Sequence, residues 1–538
     1  MLSFPHHFMT NQLSPEAALT ENSPQATSAP DPGNRIFVDI WLLGAVVTLA
    51  AVLRSLFLTR KSFWFDEGVS VQIARLDWYN LVRILWRREG NMSLYYLLLR
   101  GWLHLGHSEA FIRSLSVIAS VAAIPSIYWL GRRLFDRRVG LIAATLLSLN
   151  AYHVRYAQEA RSYSLFVFLT ILSSIYFLRS LEQPSRRNRL GHILSSALAV
   201  YAHFFAVLLI IAQWISLRFL EPHQIPPDLR KRSRHWKTIA LVVLPALLFA
   251  GTTGVGPLNW IKRPGLKMLY DYYQHMAGNG GPLLLLAYAV ACGAALAPVG
   301  RRLFRRDTPL AIWRYQFLLL WLLFPVVFTL IVSIVRPMFV ARYFFFCLPA
   351  FILLASAGLA RIRRSWLLVP ALIFFVALSL KGTLSYYDHD FDLYRDDWRA
   401  ASYYVLNRAR PGDVVIFHIA MGRMPYEFYR SVYPGGGPAP TVIYPARGDH
   451  MDYRDFMGKP SANFIRAVPA QYDRVWVVLK NNQTKTGDVD FTTTVLSQVF
   501  GVSYATRQDA SFPGGIEIRF YSERRVQKEA DISGSQSR

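Results

Sequence analysis

From Ile36 to Leu380 the chain is dominated by apolar runs, separated by short charged or turn-forming stretches. No other feature limits the possible folds as much. The first run, Ile36 to Leu58, is long enough for a helix to cross about 30 Å of hydrocarbon. Further runs follow at 111–130, 139–152, 163–178, 191–220, 238–256, 283–298, 313–335, 343–359 and 366–381. Backbone in lipid must satisfy its own polar groups, so such runs are read as helices. Composition agrees: of 538 residues 53% are hydrophobic and only 17% charged, against about 25% charged in soluble proteins. A soluble enzyme, a disordered chain and a fibrous repeat are excluded. The formal net charge of +25 does not point to nucleic acid as a partner. The basic residues are scattered between apolar runs, an arrangement that marks membrane topology. Cys292 and Cys347 both lie inside such runs, which leaves no disulfide framework and no cysteine metal site.

The run at 191–220 is too long for one untilted span and carries Tyr201 and His203 near its middle. It reads as two short helices with a break there, which brings the expected total to eleven spans. With the N-terminus in the cytoplasm, the inner loops 131–138, 179–190, 218–237, 300–306 and 361–364 hold 21 Lys and Arg. The short outer loops 153–161, 201–205, 257–282 and 336–342 hold seven. The positive-inside rule favours this orientation, in a plasma (inner) membrane. Residues 1–35 are rich in Pro, Ser, Asn and Thr and lack an apolar h-region, so they read as a disordered cytoplasmic tail and not a signal peptide. Residues 36–382 form the expected membrane domain.

Segment 59–110 then falls on the outer side. It holds an amphipathic stretch, Val69 to Trp86, and an aromatic-apolar one, Leu94 to Leu105, both expected as helices lying at the membrane interface. From about Ser385 the apolar runs shrink to strand length, at Val414–Phe417, Val475–Leu479 and Ile516–Tyr521, and a helical stretch, Asp397–Ala409, precedes the first. Pro-Gly turns separate them. Residues 383–524 are therefore expected to form a soluble α/β domain on the outer face, and residues 525–538 a disordered tail.

In this topology the outer ends of the spans collect an unusual polar set. Asp66 and Glu67 follow Phe63-Trp64-Phe65 just beyond the first span. Adjacent carboxylates at an interface suit a general base or a divalent-metal site, although acidic residues also simply favour a helix N-terminus. Glu159 and Arg161 sit in Gln158-Glu159-Ala160-Arg161-Ser162-Tyr163. Charges at that depth are expensive and usually functional; a mutual Glu159–Arg161 ion pair is the plainer reading. Arg342-Tyr343 opens the tenth span, with Arg336 before it, and the plainer reading there is a snorkelling arginine beside an interfacial tyrosine. His203 more often packs than binds. Lys262-Arg263 suits a phosphate or the headgroups of membrane lipids. Carboxylates for deprotonation and arginines for a phosphate leaving group together imply group transfer from a phosphorylated donor.

Phe65-Asp66-Glu67-Gly68 after the first span, then Asn91-Met92-Ser93-Leu94-Tyr95-Tyr96, resembles the first outer loop of the GT-C polyprenyl-phosphate glycosyltransferases. Within them the chain is most similar to the protein O-mannosyltransferase-like and aminoarabinose-transferase-like group, of glycosyltransferase family 39 type. The resemblance continues through Gly131-Arg132-Arg133-Leu134-Phe135, the Gln158–Tyr163 stretch, Tyr201-Ala202-His203-Phe204-Phe205, Arg342-Tyr343, and Asp397-Trp398-Arg399 with Pro411-Gly412-Asp413. Many relatives have His or Lys followed by two prolines where Asn91, Met92 and Ser93 stand here. The resemblance implies a polytopic α-helical membrane domain with a C-terminal soluble α/β domain. It implies transfer of a sugar, with inversion, from a polyprenyl-phosphate donor to an envelope acceptor, whether lipid, polysaccharide or protein. Asp66 would take the acceptor proton, and Glu67 or Glu159 would support it. A divalent cation, Mg or Mn, would sit at Asp66 and Glu159. Arg161, Arg342 and Lys262 or Arg263 would hold the donor phosphate, in a cavity with Asn91, Tyr95, Tyr163, His203 and Tyr343. A transporter or flippase of lipid-linked sugars would use the same groups without chemistry, but should show internal repeats and broken helices at the midplane. An envelope assembly factor would leave the polar motifs unexplained.

Overall fold

The computed structural model of the chain describes residues 32–230, 233–252, 261–389, 395–446, 457–480, 482–483 and 487–525. Most of the two expected tails, at 1–31 and 526–538, lies outside the described residues, as does 253–260, part of which belongs to the expected outer loop 257–282. The chain divides into two compact units, Met1–Leu42 and Leu43–Arg538. Of the first, the described part is the start of helix α1 (Pro32–Ser55). α1 begins at Pro32. Proline is well placed in a helix's first turn, where its missing N–H is not needed.

The second unit holds the remaining elements. The segment after α1 carries α2 (Phe65–Arg75), α3 (Trp78–Arg87) and α4 (Ser93–Leu103). Then come α5 (Glu109–Leu134), α6 (Arg137–Leu149), α7 (Ala151–Ala157), α8 (Tyr163–Glu182), α9 (Arg186–Ala202), α10 (Ala206–Ser216) and α11 (Arg234–Thr252). They are followed by α12 (Leu266–Met276), α13 (Pro282–Leu296), α14 (Leu310–Val335), α15 (Leu348–Leu359) and α16 (Ser365–Asp388). Among the described residues six stretches are long and apolar enough to cross a membrane: Glu109–Leu134, Tyr163–Glu182, Pro282–Arg302, Leu310–Val335, Ala341–Leu359 and Ser365–Asp388. The expected eleven is therefore not reached on length and composition. Asp136, Asn150 and Ser185 accept from Val139, His153 and Asn188 backbone N–H at 2.9, 3.0 and 3.2 Å, and these caps start helices shorter than the roughly 20 residues a span needs.

The break in 191–220 falls at His203, between α9 and α10. His203 is extended (φ −165°, ψ 126°), and Asn91 Oδ1 accepts from Phe204 N–H at 3.0 Å in place of a helical carbonyl. Asn91 thereby ties the 3₁₀ turn Gly90–Met92 to the broken helix.

The C-terminal domain adds α17 (Trp398–Leu406), β1 (Val414–Phe417), α18 (Arg423–Ser431), β2 (Thr441–Tyr444), α19 (Ala462–Gln471), β3 (Val475–Lys480), α20 (Phe491–Ser503), β4 (Tyr504–Phe512) and β5 (Ile516–Arg524). The sheet order is β2-β1-β3-β5-β4. β1 runs parallel to β2 and β3, whereas β5 is antiparallel to β3 and β4. β1 is apolar throughout because both its faces are covered. Val414 and Ile416 pack with α19 and α20 residues such as Ile465 and Leu496. Val415 and Phe417 join a core that contains Val71 and Ile73 of α2, Leu81 of α3 and Tyr96 of α4. The C-terminal domain is thus built onto α2, α3 and α4. Gly68 shows how closely: a Cβ there would meet the Pro425 backbone of α18 at 2.9 Å.

Candidate active site

Asp66 and Glu67 both lie in the first turn of α2, yet the fold gives them different tasks. Glu67 is fully buried. Arg113 of α5 donates to it twice, Nε to Oε1 and Nη2 to Oε2, each at 2.8 Å. Ala160 N–H donates to Oε1 at 2.9 Å, and Arg395 Nη2 to Oε2 at 3.1 Å. A carboxylate so held anchors the helix; it is not open to substrate. Glu67 is thereby placed to support Asp66 from within the fold and not to meet substrate. Removing one partner of a buried charge pair strands the other. Glu67→Ala is therefore expected to destabilise the protein by about 3–5 kcal/mol, read as a lowered unfolding midpoint in detergent; an unchanged midpoint would contradict the anchoring role.

Asp66 is different. Its side chain is 17% exposed, and its Oδ2 faces Arg161 Nη2 at 3.5 Å and Arg342 Nη2 at 3.9 Å. Both distances exceed those of charge-assisted hydrogen bonds. Arg161 extends from the turn between α7 and α8, and its Nη1 donates to Asp66 O at 3.3 Å and to Ser70 Oγ at 3.2 Å. Burial works against the Arg161 charge, but Asp66 and the neighbouring tyrosines hold its pKa well above the usual guanidinium range. Arg342 belongs to the 3₁₀ segment Ala341–Cys347 after α14. Its Cζ stands 5.7 Å from the Trp64 ring and 5.9 Å from Tyr343, within cation–π range. The fold thus brings three elements, remote in sequence, to one carboxylate.

The other expected residues are placed less uniformly. Glu159 is fully buried and pairs with Arg155 Nε at 3.3 Å and Arg395 Nη1 at 3.5 Å. Its partners are therefore not Arg161, as the plainer reading had it. Tyr95 is fully buried, with its hydroxyl 3.1 Å from Ser116 Oγ, and Ser116 donates to Arg161 O at 3.1 Å. Tyr163 and His203 are also buried, and His203 stacks on Phe166 with centroids 4.9 Å apart. These three pack behind the site and do not line an open cavity, which corrects that part of the expectation. Asn91 and Tyr343 remain partly exposed. Lys262 and Arg263 are exposed ahead of α12, and Asp66 pairs with neither.

Among the described residues no group of three or more His, Cys, Asp or Glu gathers to hold a metal ion. Asp66 and Glu159 each already face two guanidiniums, which compete with a dication for the carboxylates at such range.

Sequence reasoning missed several residues. Arg113, buried within an apolar span, carried a readable signal, because a charge there is costly. Arg155 and Arg395 gave none. Glu89 also belongs to the site: Tyr96 donates its hydroxyl to Glu89 Oε2 at 3.0 Å. Burial pushes the Glu89 carboxyl up, an effect that Arg161 opposes and Asp66 reinforces.

Residues 93–261 match the model of the dolichyl-phosphate-mannose-protein mannosyltransferase family. No curated protein matches the chain. Among solved structures the chain is similar to ArnT from Cupriavidus metallidurans in the apo state, with a TM-score of 0.59 at 10% identity, covering 91% of this chain and 98% of that one. The form of that protein bound to undecaprenyl phosphate gives a TM-score of 0.57 at 10% identity, covering 94% and 100% of the two chains. The fold is the GT-C fold. The family match at 93–261 lies within that fold.

Proposed function

We propose that the protein moves a sugar from a polyprenyl-phosphate donor to a hydroxyl or amine of an envelope acceptor. We place this reaction at the outer face of the plasma membrane, with the N-terminus in the cytoplasm. The observation that carries the reading is Asp66, part-exposed and ion-paired with both Arg161 and Arg342 at 3.5 and 3.9 Å, longer than charge-assisted hydrogen bonds, so that both guanidiniums can turn toward an arriving phosphate. The acceptor proton passes to Asp66. A bond forms between the acceptor atom and the anomeric carbon from the face opposite the phosphate, which gives inversion. The bond from that carbon to the phosphate oxygen breaks, its electron pair stays on the oxygen, and polyprenyl phosphate leaves. Arg161 and Arg342 neutralise the charge that develops on it. The lipid-bound form of the similar ArnT structure supports a polyprenyl phosphate as the lipid partner.

The test is release of polyprenyl phosphate from a labelled lipid-linked sugar by purified protein in lipid nanodiscs, with envelope extract supplying acceptors. Label appearing on an acceptor supports the reading. Label that stays on the lipid but changes leaflet would make the protein a flippase instead. Because guanidiniums already neutralise Asp66 and Glu159, a chelator is expected to leave the rate unchanged, and restoration of a chelator-inhibited rate by Mg or Mn would instead support the cation expected from the resemblance.

A further inference from the structure

Among the described residues, the outer domain reaches the two buried carboxylates of the site through Arg395. Arg395 stands at the junction between the membrane domain and α17, only 10% exposed. Its guanidinium forks. Nη2 donates to Glu67 Oε2 at 3.1 Å, and Nη1 faces Glu159 Oε1 at 3.5 Å. Glu67 in turn accepts from Ala160 N–H at 2.9 Å. The turn 158–161 is therefore suspended between a carboxylate of α2 and a guanidinium from the outer domain, and Arg161 leaves from its end toward Asp66.

Arg395 is itself held from the sheet. The next residue, Asp396, accepts from Lys480 Nζ of β3 at 2.7 Å and from Trp398 Nε1 at 3.0 Å. Its carbonyl accepts from Ser62 Oγ at 3.0 Å. Asp397 N–H donates to Pro513 O at 3.2 Å, at the tip of the β4–β5 hairpin. Gly514 there has φ +81°, and a Cβ on it would meet Asp396 Cα at 2.5 Å, so only glycine lets the hairpin press on this segment. Arg399 pairs with Glu109 at the start of α5. From sheet to Asp66, every link in this chain of contacts is charged or hydrogen-bonded, and most of its members are buried.

We infer that Arg395 is a positioning residue that sets the Arg161 guanidinium against the donor phosphate, so that the outer domain completes the transfer site and is not only an acceptor platform. The physical basis is geometric. Glu67 and Glu159 each keep a cation without Arg395, Arg113 and Arg155 respectively, so losing it leaves neither carboxylate bare. What is lost is the fork that fixes their mutual distance, and with it the orientation of the turn that aims Arg161. Misplacement of a catalytic contact by about 1 Å can cost roughly 10²-fold in rate.

This inference rests on Arg161 acting as a phosphate ligand, and the experiment separates the two ideas. Turnover of a lipid-linked sugar donor is measured over a donor titration for Arg395→Gln, Arg395→Lys, Arg161→Ala, the double variant Arg395→Gln/Arg161→Ala, and Lys480→Met. Arg395→Gln is expected to lower kcat about ten- to a hundredfold, with the unfolding midpoint near that of the unmodified protein. Arg395→Lys, which reaches only one carboxylate at a time, should recover part of the loss. Lys480→Met should shift kcat in the same direction by a smaller factor. The double variant should be no slower than Arg161→Ala alone, because Arg395 acts through Arg161. If Arg161→Ala loses turnover while Arg395→Gln and Lys480→Met keep it, the coupling is refuted and the phosphate reading stands. Losses that multiply in the double variant likewise overturn the coupling. If Arg161→Ala itself turns over normally, the phosphate reading fails first. Should Arg395→Gln fold poorly, Arg395→Lys and Lys480→Met carry the decision.

Discussion

Asp66→Asn is expected to lower transfer by about 10²–10⁴-fold, the usual loss when a general base is removed, with the protein still folded and inserted. Asparagine preserves the volume of the side chain and removes only its capacity to accept a proton. The structure gives reason to expect folding to survive. Asp66 has no short hydrogen bond to either arginine, whereas Glu67 beside it carries the buried contacts that seat α2. The two neighbouring carboxylates therefore predict opposite phenotypes: Asp66→Asn loses rate and keeps its unfolding midpoint, and Glu67→Ala loses its midpoint. Parallel turnover and unfolding measurements on the two variants decide this. Full activity in Asp66→Asn would reduce Asp66 to a first-turn acidic residue that merely suits the helix dipole.

Arg161→Ala and Arg342→Ala are each expected to depress kcat more than they raise the donor KM. The phosphate gains charge as the sugar departs, so a guanidinium beside it is worth more in the transition state than in the ground state. Losing one charged donor of this kind costs about 10²–10³-fold by analogy with oxyanion-stabilising groups. Lysine at either position should recover only part, because an ammonium cannot hold two phosphate oxygens in one plane as a guanidinium does. Since both arginines face the same Asp66 oxygen, their effects should couple in a double variant and not simply multiply. The check is steady-state titration of the lipid-linked donor. Wild-type turnover and unchanged donor dependence in both alanine variants would leave the arginines as interface anchors, with exposed Lys262 and Arg263 next to be tested.

Several of these assignments were legible before any coordinates. The length and polarity of the apolar runs imposed a helical membrane domain, because unpaired backbone cannot sit in hydrocarbon. His203 in the middle of a long run marked the helix break. Strand-length apolar runs located β1, β3 and β5. β2, at Thr441–Tyr444, and β4, at Tyr504–Phe512, were not seen. β2 is a half-exposed edge strand and β4 is mostly exposed and polar, so neither carries an apolar signal. Of the eleven expected spans, six stretches are long and apolar enough among the described residues, and α9 and α10 are each short because the chain breaks at His203.

The sequence by itself determined the class of fold and which charges had to be explained: Asp66, Glu67, Glu159, Arg161 and Arg342 stood out because charge near a membrane is costly. Only the tertiary structure divided that set into working and supporting members. Asp66 and Glu67 are neighbours of the same chemical type, and nothing local distinguishes them. Their surroundings do: two loosely placed guanidiniums for one, and Arg113, Arg395 and Ala160 for the other. Those partners come from an apolar helix, a domain junction and a turn, scattered along the chain. A carboxylate's task is decided by what surrounds it in space, and that is set by packing between distant segments, which no local pattern records.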